Sequence, residues 1–312
     1  MKKDNKVMYN LKEKLRVEIL SVLPNNSKIH YFDYPVHGNI GDMLIWQGTE
    51  KFFEDNNINV LNRFNYHEAT RKLKKGLLGI NKNEIIVCHG GGNFGDLYSP
   101  HQELRNKLIN FFPNNKIIIL PQTIYYQKEE NLINDINLYK SHSDLHIFVR
   151  DRRSFNLLKE NGLTNVKLIP DMAHILYPVE YNTQNKNNKK ELLFLRRDIE
   201  SNNGQAHNKR NSFDWDDLFS YVSRIYMKNL IRVNKSSVLS TVLSSNLFFL
   251  LWKNFMKKTV EKAVIYYSNF NSIKTSRLHG HILACLMNKK NILIDNSYGK
   301  NSSYYNEWTK DI

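Results

Sequence analysis

Short runs of β-branched and aromatic residues, each closed by a polar or glycine-bearing turn and followed by a helix-like stretch, recur through the first half of this chain and limit what it can fold into. They are Lys28-Ile29-His30-Tyr31-Phe32-Asp33-Tyr34, Ile58-Asn59-Val60-Leu61, Glu84-Ile85-Ile86-Val87-Cys88-His89, Lys116-Ile117-Ile118-Ile119-Leu120, Asp144-Leu145-His146-Ile147-Phe148-Val149 and Val166-Lys167-Leu168-Ile169. Runs this apolar fit strands covered on both faces, and strands alternating with helices build a parallel sheet. The expected class is therefore α/β, with a doubly wound parallel sheet in the first domain.

Residues 181–190 lack apolar periodicity and read as a linker. The expected division is residues 1–180, this linker, and a smaller α/β domain over residues 191–312. That second domain begins with Glu191-Leu192-Leu193-Phe194-Leu195, and its sheet resumes around Ser272–Lys274 and Asn291–Asp295. Within it, Ser236 to Trp252 carries no charge but has Arg232, Lys235, Lys253, Lys257 and Lys258 around it. The stretch falls short of the roughly 20 mostly apolar residues that a membrane span needs. Two readings stand: an interfacial helix on anionic headgroups, or a helix packed inside the domain.

Four places have residue types suited to chemistry. After the first strand comes His37-Gly38-Asn39-Ile40-Gly41-Asp42, where glycines let backbone approach a ligand and Asp42 falls near a helix start, a position that also suits simple capping. After the third comes Gly90-Gly91-Gly92-Asn93-Phe94-Gly95-Asp96, with Tyr98, His101 and Gln102 on the helix that follows. These glycines satisfy G-x-G-x-x-G. The dinucleotide reading nevertheless fails, because the next strand ends in Pro121-Gln122-Thr123 and not in an acidic residue. The third place is a pair of strand-end arginines: Arg150 at the carboxyl end of one strand, where open α/β sheets bind ligands, and Arg196 at the end of another.

The fourth place is Thr275-Ser276-Arg277-Leu278-His279-Gly280-His281, between a β-like run and an apolar helical run. Ser276 is expected as the N-cap, with Arg277 and His279 in the first turn. Such a turn favours an anion, and the arginine fork can grip phosphate or carboxylate. The plainer alternative is that Arg277 pairs with a carboxylate and His279 packs at an interface.

The balance of 45 Lys+Arg against 30 Asp+Glu points to anionic small molecules or lipid surfaces. Basic residues are dispersed and no zinc-finger spacing occurs, so nucleic acid is not expected as a partner. Only Cys88 and Cys285 are present, and no apolar signal core follows Met1, so the expectation is a cytoplasmic protein, with the inner face of the cell membrane as a surface it would touch.

In order and spacing these motifs resemble the polysaccharide pyruvyl transferase family. The features that carry the resemblance are His37–Asp42, Gly90-Gly91-Gly92, Pro121-Gln122-Thr123, Arg150-Asp151 with Ser154, Pro170-Asp171, Leu195-Arg196-Arg197-Asp198 and Ser276–Gly280, spread from about Ile29 to Trp308. The chain departs from the family pattern in having Pro121 where a glycine is usual and in the uncharged stretch of the second domain. The resemblance implies two Rossmann-like domains in a GT-B-like arrangement, facing a cleft. It also implies phosphoenolpyruvate as donor, and a sugar or lipid-linked oligosaccharide of a cell-surface polysaccharide as acceptor. His279, Asp42 and His101 would be catalytic. Arg277, Leu278, Arg150, Arg196, Gly38, Asn39, Gly91 and Gly92 would bind substrate. No cofactor or metal is implied. A nucleotide-sugar glycosyltransferase of the same architecture and a non-catalytic sugar-binding or scaffold protein remain open at this point.

Overall fold

The computed structural model describes residues 5–181, 189–197, 212–236, 244–295 and 299–312. Most of the expected linker, and Asp198, lie outside these. The chain forms two compact units: one takes Lys12–Val36 and Gly48–Ile175, the other Met1–Leu11, His37–Gln47 and Leu176–Ile312. The His37–Gln47 segment thus belongs with the C-terminal half of the sequence.

The first unit is built on β1 (Lys28–Tyr34), β2 (Asn59–Asn65), β3 (Ile85–Cys88), β4 (Gly91–Phe94), β5 (Ile117–Ile124), β6 (Leu145–Val149) and β7 (Val166–Leu168). Their order is β2-β1-β3-β5-β6-β7 with β4 also beside β5, and every pairing is parallel. Ile117, Ile118, Ile119 and Leu120 are all fully buried, as a strand covered on both faces requires. Helices α3 (Tyr66–Lys74), α4 (Ser99–Phe111), α5 (Glu129–Ser141) and α6 (Arg152–Glu160) alternate with these strands. The protein is α/β with parallel sheets, as the alternation predicts.

Two expectations need correction. The segment after Cys88 is not only a loop, since Gly91–Phe94 forms β4; and β5 does not stop at Leu120 but continues through Pro121-Gln122-Thr123 to Ile124. Proline has no N–H to give a ladder, yet here none is missed. Pairing with β3 ends at Ile119 and pairing with β4 starts at Gln122, while the register with β6 also shifts between Ile119 and Gln122. Pro121 sits in that gap on both sides. An N-terminal amphipathic helix, α1 (Lys6–Leu20), was not among the expected elements; it buries Met8, Leu11, Leu15 and Ile19 at helical spacing.

Gly95 ends β4 with φ +108°, and an added Cβ would stand 1.9 Å from the Tyr125 carbonyl oxygen. The glycine cluster therefore serves a close crossing of the chain over the end of β5. Helix α4 starts only at Ser99, after a 3₁₀ turn over Asp96–Tyr98, so no helix N-terminus opens within the G-x-G-x-x-G run. Gly95→Ala combines a strained backbone with a backbone clash and should destabilise by roughly 2–5 kcal/mol. The midpoint of chemical denaturation will measure it.

In the second unit, β8 (Lys189–Phe194), β9 (Phe270–Thr275) and β10 (Lys290–Leu293) form a parallel sheet in the order β10-β9-β8. Helices α7 (Tyr221–Lys235), α8 (Ser245–Ser268), α9 (Leu278–Leu286) and α10 (Lys300–Tyr304) complete it, and α2 (Ile40–Asp55) begins in this unit and ends in the other. Of the uncharged stretch, residues 237–243 lie outside the described residues. The rest opens α8, which buries Phe248, Trp252, Phe255 and Met256 and leaves Leu247 and Leu250 exposed. Phe249 sets its ring edge-on to Trp46. Among the described residues no helix is long and apolar enough to cross a membrane.

Candidate functional site

The turn from β9 into α9 is shaped by hydrogen bonds to the ends of its neighbours. Ser276 donates its N–H to the Phe194 carbonyl at 3.0 Å, and its hydroxyl accepts the Arg196 N–H at 3.0 Å. That hydroxyl is therefore committed to joining β8 to β9. The helix cap is Arg277, with extended φ and ψ, and not Ser276 as the motif predicts; the first turn begins at Leu278, with His279 inside it and Arg277 just before it. The Arg277 N–H is held by Thr275 Oγ1 at 3.0 Å.

The Arg277 fork is gripped from one edge. Nε donates to Asp214 Oδ1 at 2.6 Å and Nη2 to Asp214 Oδ2 at 2.8 Å. Asp214 is buried, and it also accepts the N–H groups of Trp215 and Arg197. A carboxylate bound from several sides fixes the plane of the guanidinium and holds its charge at the helix entrance. The expectation that Arg277 faces a carboxylate is met by a residue the motif survey did not single out. Asp214 opens a capping box with Asp217, and that is the role its sequence context advertises.

His279 lies against the start of α2. A Cβ added to Gly41 would stand 2.7 Å from His279 Nδ1 and 2.9 Å from its Cβ and Cγ, so only glycine lets this ring rest on the helix. Asn39 caps α2, its Oδ1 accepting the Gly41 N–H at 3.0 Å. The Asn39 amide donates to Asp42 Oδ2 at 2.8 Å, and His37 Nε2 lies 3.6 Å from the same oxygen. With Asn39 as the cap, the Asp42 carboxylate is held at the surface of the first turn and partly open to solvent. Gly38, Asn39, Asp42, Arg277 and His279 thus share one unit, and Gly41 brings His279 to the α2 entrance. Leu278 is buried, and Gly280 backs onto the Phe194 ring. At the end of the first turn of α9, burial drives the His281 imidazole down to about 4, so it is a neutral packing residue bonded to Asn291 and Thr309.

Gly41→Ala should push the His279 ring out of place while α2, which gains helix propensity, survives. Activity is expected to fall at least tenfold with little loss of thermal stability, read by comparing kcat with the melting midpoint.

Arg196 shares the unit of Arg277, and the other unit holds Arg150, Gly91, Gly92 and His101. Arg150 is fully buried, with Nη1 2.5 Å from Asp171 and Nε 3.0 Å from Thr123 Oγ1. The Arg150 and Pro170-Asp171 motifs are therefore two halves of one ion pair. Gly91 and Gly92 lie in β4.

His101, in the first turn of α4, donates from Nδ1 to Asp33, 2.9 Å from each carboxylate oxygen. A carboxylate only accepts, so the proton sits on Nδ1 and Nε2 is the nitrogen able to take one up. Asp33 is the unpaired residue of a bulge in β1: Phe32 pairs Phe64 and Tyr34 pairs Asn65, with φ +66° at Asp33 between them. The bulge turns its side chain toward His101. Burial acts to raise the Asp33 carboxyl, but the charge and hydrogen bond of His101, with Arg105 and His89 behind, outweigh it, so the group stays below the usual carboxylate range. Asn93 closes the cluster, donating to Asp33 and accepting from Arg105. Sequence reading missed Asp33 because it sits inside a strand pattern, where alternation hides a bulge.

Comparison with known proteins bears on this arrangement. A family model described as polysaccharide pyruvyl transferase matches residues 39–298. A Bacillus subtilis protein named "Putative pyruvyl transferase EpsO" is 40% identical over 98% of this chain and 92% of its own length. Pyruvyl transferase 1 of Schizosaccharomyces pombe is 28% identical over 90% of this chain and 69% of its own. A solved Klebsiella pneumoniae structure of uncharacterised function has a TM-score of 0.61 at 22% identity, covering 97% of this chain and 98% of that one; at such identity the likeness concerns the fold.

Proposed function

The chain belongs to the polysaccharide pyruvyl transferase family, and from that premise we propose that it transfers the enolpyruvyl group of phosphoenolpyruvate to a sugar of a cell-surface polysaccharide or its lipid-linked precursor, forming a pyruvate ketal. The reading includes the GT-B-like pairing of Rossmann-like domains that its motifs imply. The observation that carries it is the placing of the His279 ring on Gly41, next to Asp42 and close in sequence to the Asp214-anchored Arg277. Phosphoenolpyruvate needs cationic groups for its phosphate and carboxylate, and an acid for its methylene carbon.

Arg277, its plane set by Asp214, would bind the donor together with the first-turn N–H groups of α9. His279 would protonate the methylene carbon, making C2 electrophilic. Asp42 would take the proton of the attacking sugar hydroxyl as the C2–O bond forms. Loss of phosphate and closure by a second hydroxyl then complete the ketal. His101, set by Asp33, would be a second proton carrier. Arg196 would contribute positive charge, while Arg150, its charge met by Asp171, would serve by holding the carboxyl end of β6 in place.

Ligand-dependent melting tests the donor directly, since a ligand bound only to the folded state stabilises it. Phosphoenolpyruvate should raise the melting midpoint, and nucleotide-sugars should not. The reverse result would assign the site to glycosyl transfer.

A further inference from the structure

Helix α7 faces solvent with apolar side chains. Tyr221 and Val222 are 79% and 74% exposed, and Ile225 and Tyr226 are 42% and 43% exposed. As i, i+4 pairs these residues form one patch over the first two turns. Lys228, Arg232 and Lys235 continue along the helix, all exposed, and α7 contains no acidic residue. Arg224, also exposed, bonds the carbonyls of Phe219 and Asp216. The acids nearest in sequence are Asp216 and Asp217 before the helix, and Asp217 is bound by Arg197. The opposite face packs inward through Leu230 and Asn234, and Tyr226 reaches Phe255 at 5.9 Å between ring centroids.

We propose that this face of α7 is a docking surface for an anionic lipid bilayer. Exposed aromatic and aliphatic side chains beside a basic stripe suit the boundary between acyl chains and phosphate headgroups, where the apolar groups are buried and the Lys and Arg side chains meet negative charge. A second copy of the chain fits poorly, because a two-fold contact through this face would set the basic stripes against each other. The surface also adjoins the candidate site. A Cβ at Gly38 would lie 3.1 Å from Met227 Sδ, so α7 packs directly on the loop that leads to Asn39 and Asp42. Resting on the proposed function, this contact would present a lipid-linked acceptor to the loop from the membrane side.

Co-sedimentation of the full chain with vesicles tests the proposal without using activity. Binding is expected to phosphatidylglycerol-containing vesicles, not to pure phosphatidylcholine, and to weaken in high salt. Tyr221→Ser with Val222→Ser should reduce binding about tenfold, and Lys228→Glu with Arg232→Glu should abolish it. Stabilisation by phosphoenolpyruvate should be unchanged in both variants. That readout reports on the donor reading separately, so either idea can fail alone. Equal binding to both vesicle types, or binding to neither, overturns the proposal. So does a dimer in solution that the Tyr221→Ser, Val222→Ser protein cannot form, which would give the face to a second copy.

Discussion

His279→Gln is expected to slow turnover by about 10²–10⁴-fold while phosphoenolpyruvate still raises the melting midpoint, because the substitution removes a proton donor and leaves Arg277 in place. The geometry explains why binding and chemistry should separate. Arg277 is anchored to Asp214 and caps the helix; His279 lies in the first turn, resting on Gly41. Arg277→Lys should behave in the opposite way. A lysine cannot make the two parallel bonds to Asp214, so donor binding should weaken most and kcat less. If the two residues only held the fold together, both variants would lose thermal stability, and residual activity would follow the folded fraction. A folded His279→Gln enzyme with wild-type turnover would remove His279 as the acid and leave Asp42 or His101 to be tested.

Much of this was legible because it follows from periodicity. Buried strands such as Ile85–Cys88 and Leu145–Val149 announce themselves by dense apolar runs, and the helices between them by spacing. What the sequence hid depends on partners distant in the chain. Ser276 is a good capping residue by type, but its hydroxyl is taken by the Arg196 N–H, and nothing local reveals that competition. Pro121 looks like a strand end until both neighbouring registers are known to shift beside it. The exposed face of α7 was obscured for a different reason. The longer uncharged stretch is the more conspicuous in sequence, yet its Phe248 and Trp252 are buried, while the shorter Tyr221–Tyr226 patch is exposed. Hydrophobicity along a sequence does not say which side is covered.

Asp33→Asn carries the second large effect, and its reasoning depends on backbone as much as charge. Asp33 occupies a left-handed conformation, with φ +66°, that asparagine adopts nearly as readily, so the bulge and the fold should persist. The hydrogen bond to His101 should not. A carboxylate can accept the Nδ1–H hydrogen bond with either of its oxygens, both 2.9 Å away, and so fixes one tautomer. An amide can instead donate its N–H to Nδ1, moving the ring proton to Nε2 and turning that nitrogen from an acceptor into a donor. If His101 handles a proton in the reaction, turnover should fall by about 10²–10⁴-fold. The acid limb of the kcat/KM profile should also move to lower pH, since the negative charge that favours imidazolium is gone. Asp33→Glu, which keeps the charge but has the longer side chain, should recover part of the rate if the bulge accepts it. Melting curves matching the native protein, together with an unchanged pH profile and rate, would reduce the Asp33–His101 pair to a structural clasp between β1 and α4.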